Sequence, residues 1–180
     1  MWQRLTDETG LQFVSVAVDM QGPDVVRPWT VEAQATFTTL LDRTGLLPAR
    51  LGLGVVPVLL VFEDGRLVQP ASPVNVLRDE QREAVRSWAR HGTPSVELPS
   101  LPQREGSSDT EAALAWLEVA RFALEEGRPV DALASLERGF EHDPDNWLIR
   151  KQRWALREPE RFYDGEIDIA WQAEQQAAGR

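Results

Sequence analysis

The chain contains no cysteine. That single absence excludes disulfides, a thiolate nucleophile, an iron–sulfur cluster and any thiolate zinc site supplied by this polypeptide. Histidine is nearly as scarce. His91 and His142 are the whole supply, far apart and in neither an HExxH nor a His-rich spacing. Each is expected as a surface residue near a helix end, so no metal site, no cofactor site and no catalytic residue is assigned. Long apolar runs are missing too. Nothing reaches the roughly 18 residues that a membrane span needs, and the opening MWQRLTDETG has no secretory apolar region. A cytoplasmic chain is the default expectation if Met1 is the true start. Positive charge is in deficit as well: the net charge of −10 argues against nucleic acid, whose affinity rests on Lys and Arg neutralising phosphates.

What is present describes a globular protein: 180 residues, 42% of them hydrophobic and 27% charged. The acidity is uneven. Residues 1–92 carry 9 basic against 11 acidic side chains, and residues 93–180 carry 10 against 18. The shift points to two units.

In the first unit, LQFVSVAVD (11–19) is apolar and β-branched without a break, the pattern of a strand buried on both faces. WQRLTDETG ahead of it reads as the last turns of a helix ending at Gly10. DMQGPDVVRP reads as loop, and TVEAQATFTTLLDRTG as a helix giving way to a short strand near 37–41. A short helix is expected over 46–53. Pro57 then introduces a strand over 58–62, and Glu63-Asp64-Gly65 turns it into Arg66-Leu67-Val68 as a hairpin. NVLRDEQREAVRSWARH (75–91) places Leu77, Ala84, Val85 and Trp88 on one face of an amphipathic helix.

TPSVELPSLPQREGSSD (93–109), with three prolines, four serines and a glycine, is the linker. Ser108 with Glu111 forms a capping box that opens the second unit, 110–180. Two helices of about fifteen residues follow, broken by Gly127 and Pro129. NWLIRKQRWAL begins a third, Glu158-Pro159-Glu160 interrupts it, and a short helix around Ile167 to Trp171 closes the chain. Trp147, Trp154 and Trp171, each able to hide up to roughly 200 Å2, are expected to pin this tail against the hairpin or the first unit. The acidic pairs Glu125-Glu126 and Asp143/Asp145 read as solvated helix ends, and Asp143-Pro-Asp145-Asn146 lacks the ligand count of a calcium loop.

Residues 113–146 span 34 positions and resemble a tetratricopeptide repeat. Trp116, Val119, Ala120, Gly127, Ala132, Leu136, Gly139 and Pro144 stand at its positions, while Ala123 replaces the usual tyrosine. Small residues at 120, 132 and 139 let two antiparallel helices approach, with Trp116 and Leu136 between them. One repeat does not bury its own apolar face. The resemblance also implies a peptide groove along the first helix, lined by Leu114, Leu117, Arg121 and Leu124.

FVSVAVD (13–19), FTTLLDRTG (37–45), LGVVPVLLVFEDG (53–65) and the closing helix are similar to the thioredoxin-like fold, in the redoxin or thiol–disulfide oxidoreductase flavour. In that family the proline matching Pro57 is cis, and its neighbour, here Val56, presents backbone to an extended substrate. Asp19 matches an acid that assists proton transfer beside the family's thiols. Without a thiol its expected role is an Asx-type cap on the loop. The family's first strand and its Cys-x-x-Cys precede the helix leading into FVSVAVD, and this sequence opens inside that helix. A central strand is therefore missing from the pattern. Either its neighbours close together, or a strand from another chain fills the slot, or Met1 is not the natural beginning.

The expected fold is α/β, an incomplete thioredoxin-like sheet with flanking helices over 1–92, plus an all-α tetratricopeptide-like unit. The expected function is a non-catalytic interaction module whose partner is a protein or peptide, or a second copy of the chain in a homodimer through the incomplete sheet. Nucleic acid and membrane are not expected partners. The alternative is a truncated thiol–disulfide oxidoreductase whose Cys-x-x-Cys lies upstream of Met1, which would also admit a location outside the cytoplasm.

Overall fold

The structure is a computed structural model that describes residues 3, 7, 8, 11–75, 78–92, 101 and 107–179. The expected helix end at Gly10, Leu77 and most of the 93–109 linker lie outside these residues.

Alternating valines extend Val14–Val18 as β1, and Thr38–Asp42 pairs with it as β2. Between them runs α1 (Pro23–Glu32), where a loop was expected over the first half. Proline at a helix start costs no hydrogen bond, because its missing N–H is one of the unsatisfied donors there. Pro28 lies inside the helix and does remove a bond, which is why the segment reads as loop by composition. α2 (Leu46–Leu51) follows, then β3 (Val58–Glu63) and β4 (Arg66–Pro73). Asp64 and Gly65 both take positive φ, 49° and 75°, the backbone of a two-residue hairpin turn whose twist matches its strands. Glu63 faces Arg66 and Phe62 faces Leu67 across the ladder. β4 continues to Pro73, well beyond the expected Val68. The Val56–Pro57 bond is cis, as the family resemblance implies. α3 (Asp79–His91) has acids in its first turn, Arg90 and His91 in its last, and a left-handed Gly92 whose N–H closes on Trp88.

Two expectations about the strands need correction. β1 is not covered on both faces: Val14 is 41% and Val16 38% exposed. Nor do Val14–Val18 and Val58–Phe62 share one sheet. The described ladders are two separate pairs, β1–β2 and β3–β4, because no described strand lies between them to answer the backbone groups of both.

The remaining helices are α4 (Ser108–Glu125), α5 (Pro129–His142), α6 (Trp147–Arg157), α7 (Glu160–Tyr163) and α8 (Ile169–Ala177). The N-cap of α4 is Ser107, one residue before the expected Ser108; its hydroxyl accepts the Thr110 N–H. Asn146 and Asp168 cap α6 and α8 in the same way. No described helix is long and apolar enough to cross a membrane.

Packing divides the chain into two compact units that are not successive halves. One comprises 1–17, 29–40 and 47–105, the other 18–28, 41–46 and 106–180. In the second, Met20, Ala113, Leu117, Ala120, Ala123, Ala132, Leu136, Leu148 and Ile149 form one buried core. Gly139 lets α5 lie close against α4: a Cβ there would lie 3.1 Å from the Ala113 carbonyl oxygen and 3.3 Å from the Trp116 Cβ. Trp154 and Trp171 meet edge to face and close a smaller cluster with Phe162, while Trp147 packs on the main core. The three tryptophans thus find cover within their own helical unit.

Candidate functional site

The sequence singled out two groups of binding residues, one in each unit. In the α/β unit, Val56 is 45% exposed beside Val55 at 42%, and Pro57 is exposed as well. They lead into a hairpin whose cross-strand pair, Phe62 and Leu67, is 55% and 42% exposed, with Val68 at 47%. Along the two strands Val58, Leu59 and Leu60 are half-buried, and Val61 and Ser72 are buried.

The helical unit disperses its candidate groove. Leu117, at 1% exposure, is core and offers no surface to a ligand. Leu114 and Leu124 lean against the same core and are half covered. Arg121 is engaged with Glu118 at 2.8 Å and Glu125 at 2.8 Å. Glu118 is held below the usual carboxylate range, chiefly by its hydrogen bond from Arg121.

A polar cluster that the sequence did not bring together lies where the chain leaves β1. Asp19 accepts the Gln21 N–H at 2.9 Å, the Asx turn expected of it. Its other oxygen accepts the Tyr163 hydroxyl at 2.8 Å, and that hydroxyl accepts from the Gln21 amide at 2.8 Å. The buried Gln152 side chain also hydrogen-bonds the carboxylate. Burial pushes Asp19 up, against the pull of these bonds and of Arg43. Burial, and the Asp19 charge beside it, push Tyr163 up as well. Arg43 donates from Nε and Nη2 to the Met20 carbonyl and pairs through Nη1 with Glu125 at 2.6 Å. Every partner in this cluster is a hydrogen-bond or charge complement of another. Its chemistry is to fasten residues 19–21 and 43 onto the helices.

Two further polar contacts correct or extend the sequence reading. Asp143 is not a solvated helix end: it is 8% exposed and accepts the Thr110 hydroxyl at 2.9 Å, 33 residues back. Arg153 is 4% exposed, pairs with Glu137 at 3.0 Å and stacks over Phe140 at 3.9 Å. Composition marked neither, because a buried charge looks like a surface one until its partner is known. His91 and His142 are exposed in the last turns of α3 and α5, as expected. Among the described residues no group of three or more His, Asp or Glu is placed to hold a metal ion. No protein-family model, curated protein or solved structure matches this chain.

Proposed function

We propose that the chain is a non-catalytic protein-interaction module, a thioredoxin-like α/β frame stripped of redox chemistry and joined to a tetratricopeptide-like helical unit. The observation that carries this reading is the hairpin surface. Val55, Val56 and Pro57 lead to the facing pair Phe62 and Leu67, all of them exposed, in a chain with no thiol to act on a bound substrate. Isolated apolar residues at a surface are ordinary, but a connected set rimmed by polar residues marks a place of contact. Here the rim is Glu63, Asp64 and Arg66. A partner suited to it is a protein or peptide segment in extended form with apolar side chains, since a strand edge supplies backbone hydrogen bonds and the hairpin supplies apolar contacts.

Support for the helical half of the reading is the antiparallel α4–α5 pair closed over Gly139, with Thr110 and Asp143 bonded across 33 positions. The division of the described strands into two ladders departs from the thioredoxin pattern, and among the described residues each ladder stops at two strands, which leaves an edge a partner strand could take.

The test has two arms. Insulin reduction in the presence of a small thiol should run at the blank rate; a rate above it would contradict the non-catalytic reading. Reduced, carboxymethylated insulin B chain serves as an extended apolar probe. Phe62→Asp should weaken its binding roughly tenfold or more, as loss of an aromatic anchor does. Equal binding by wild type and variant would remove the hairpin from the proposal.

A further inference from the structure

The two strands of the hairpin are guarded unequally. β4 contains Pro70 and Pro73, which have no N–H to offer a neighbour. Its Ala71 carbonyl also already accepts the Leu101 N–H at 2.9 Å. β3 reads Val58-Leu59-Leu60-Val61-Phe62 with no glycine, proline or charge, and Glu63 only at its end. Among the described residues, β4 is the one strand paired with it. Edge strands of soluble proteins are protected by charge, proline, bulges or cover. β4 has such protection. β3 has the composition of an interior strand and, among the described residues, no strand beside it on the side away from β4.

We propose that β3 pairs antiparallel with β3 of a second copy of this chain. The proposal rests on the interaction-module reading and names the partner of the hairpin. Three features select it. A register centred on Leu60 is two-fold symmetric and sets Val58 of one copy against Phe62 of the other, apolar against apolar throughout. Antiparallel pairing also carries the two Glu63 carboxylates to opposite ends, about 20 Å apart at the rise of a strand, whereas parallel pairing would set them side by side. Finally, residues 1–92 carry a net charge of only −2, against −8 for residues 93–180, so the segment that holds β3 adds little net charge repulsion between two copies. The guarded β4 edge gives the assembly closure. Two copies consume both β3 edges and leave prolines outside, so growth stops at a dimer rather than a fibre.

The experiment combines solution mass with backbone hydrogen exchange on the full chain over roughly a hundredfold range of concentration. The expected result is a monomer–dimer equilibrium in which amides of 58–62 exchange about tenfold slower or more at high concentration. Leu60→Lys sets two ammonium groups together at the symmetry axis and should abolish the dimer, while the β-branched Leu60→Thr keeps it. A monomer throughout, or a dimer whose β3 amides exchange at one rate at every concentration, overturns the proposal. If Leu60→Lys fails to fold, the wild-type exchange data still decide. A monomer with a blank insulin assay and intact B-chain binding removes this inference alone; reduction above the blank removes the reading beneath it.

Discussion

The helical unit and the α/β unit use similar residue types to opposite effect. Around α4, α5 and α6, small and large apolar residues interlock until Ala113, Ala120, Ala132, Leu136 and Ile149 are 0% exposed. In the α/β unit, valines, leucines and a phenylalanine remain at the surface: Val14, Val16, Leu40, Val55, Val56, Phe62, Leu67 and Val68. The difference lies in where each element finds its partner. A helix satisfies its own backbone and needs only a neighbouring stripe, which the next helix supplies within one repeat. A strand needs another strand at its edge, and among the described residues each ladder here stops at two. Apolar content alone therefore does not close a core; the supply of backbone partners does.

The largest expected effect comes from breaking the closed side. Leu136→Ala or Ile149→Ala should cost about 2–5 kcal/mol, the range for emptying a packed site, read as a lower urea midpoint of the helical signal. A cost under 1 kcal/mol would mean that the core is looser than its burial implies. Gly139→Ala tests the α4–α5 approach. Its Cβ would press on the Ala113 carbonyl, and crowding of this kind costs about 1–3 kcal/mol, more than the helix-propensity gain of about 1 kcal/mol. A net stabilisation in the same unfolding experiment would contradict the packing described.

Tyr163→Phe removes the hydroxyl that answers both Asp19 and Gln21 and leaves a largely buried carboxylate short of a donor. The expected cost is about 1–3 kcal/mol. Asp19 also makes a pH prediction. Burial raises its pKa in the folded protein, so on raising the pH the unfolded chain loses this proton first. The folded state then holds more protons, and the contribution of Asp19 to stability falls as pH climbs from the unfolded pKa through the folded one. Asp19→Asn should remove that part of the slope. A stability curve for Asp19→Asn parallel to wild type across the acid range would contradict it. The smallest effect is expected on the open side: Phe62→Ser should alter stability by no more than about 0.5 kcal/mol while impairing contact with a partner.

The same contrast explains what the sequence disclosed. The helices, their breaks at Gly127 and Pro129, and the Asp-Gly hairpin were legible because they depend on residues a few places apart. The cap at Ser107 was missed by one residue, since Ser107 and Ser108 offer the same chemistry. The first half of α1 was missed because Pro28 inside it mimics a loop. The apolar run at 11–19 misled in another way: it reports suitability for a buried strand, not whether a neighbour is there to bury it. The Asp19–Tyr163 and Thr110–Asp143 bonds join residues 144 and 33 positions apart, and no local pattern encodes such pairs. Of the expected binding residues, Val56 and Pro57 are at the surface, while Leu117 is spent on the core it shares with Ala120, Leu136 and Ile149.

Native-state hydrogen exchange in dilute protein, resolved by segment, tests the contrast most directly. Core amides of α4, α5 and α6 should exchange only through global unfolding of their unit, and amides of β1 and β3 should exchange through far cheaper local openings. Equal, strong protection of β1 and β3 in the dilute monomer would show that these strands already have their partners, and the account of an open α/β unit would be wrong.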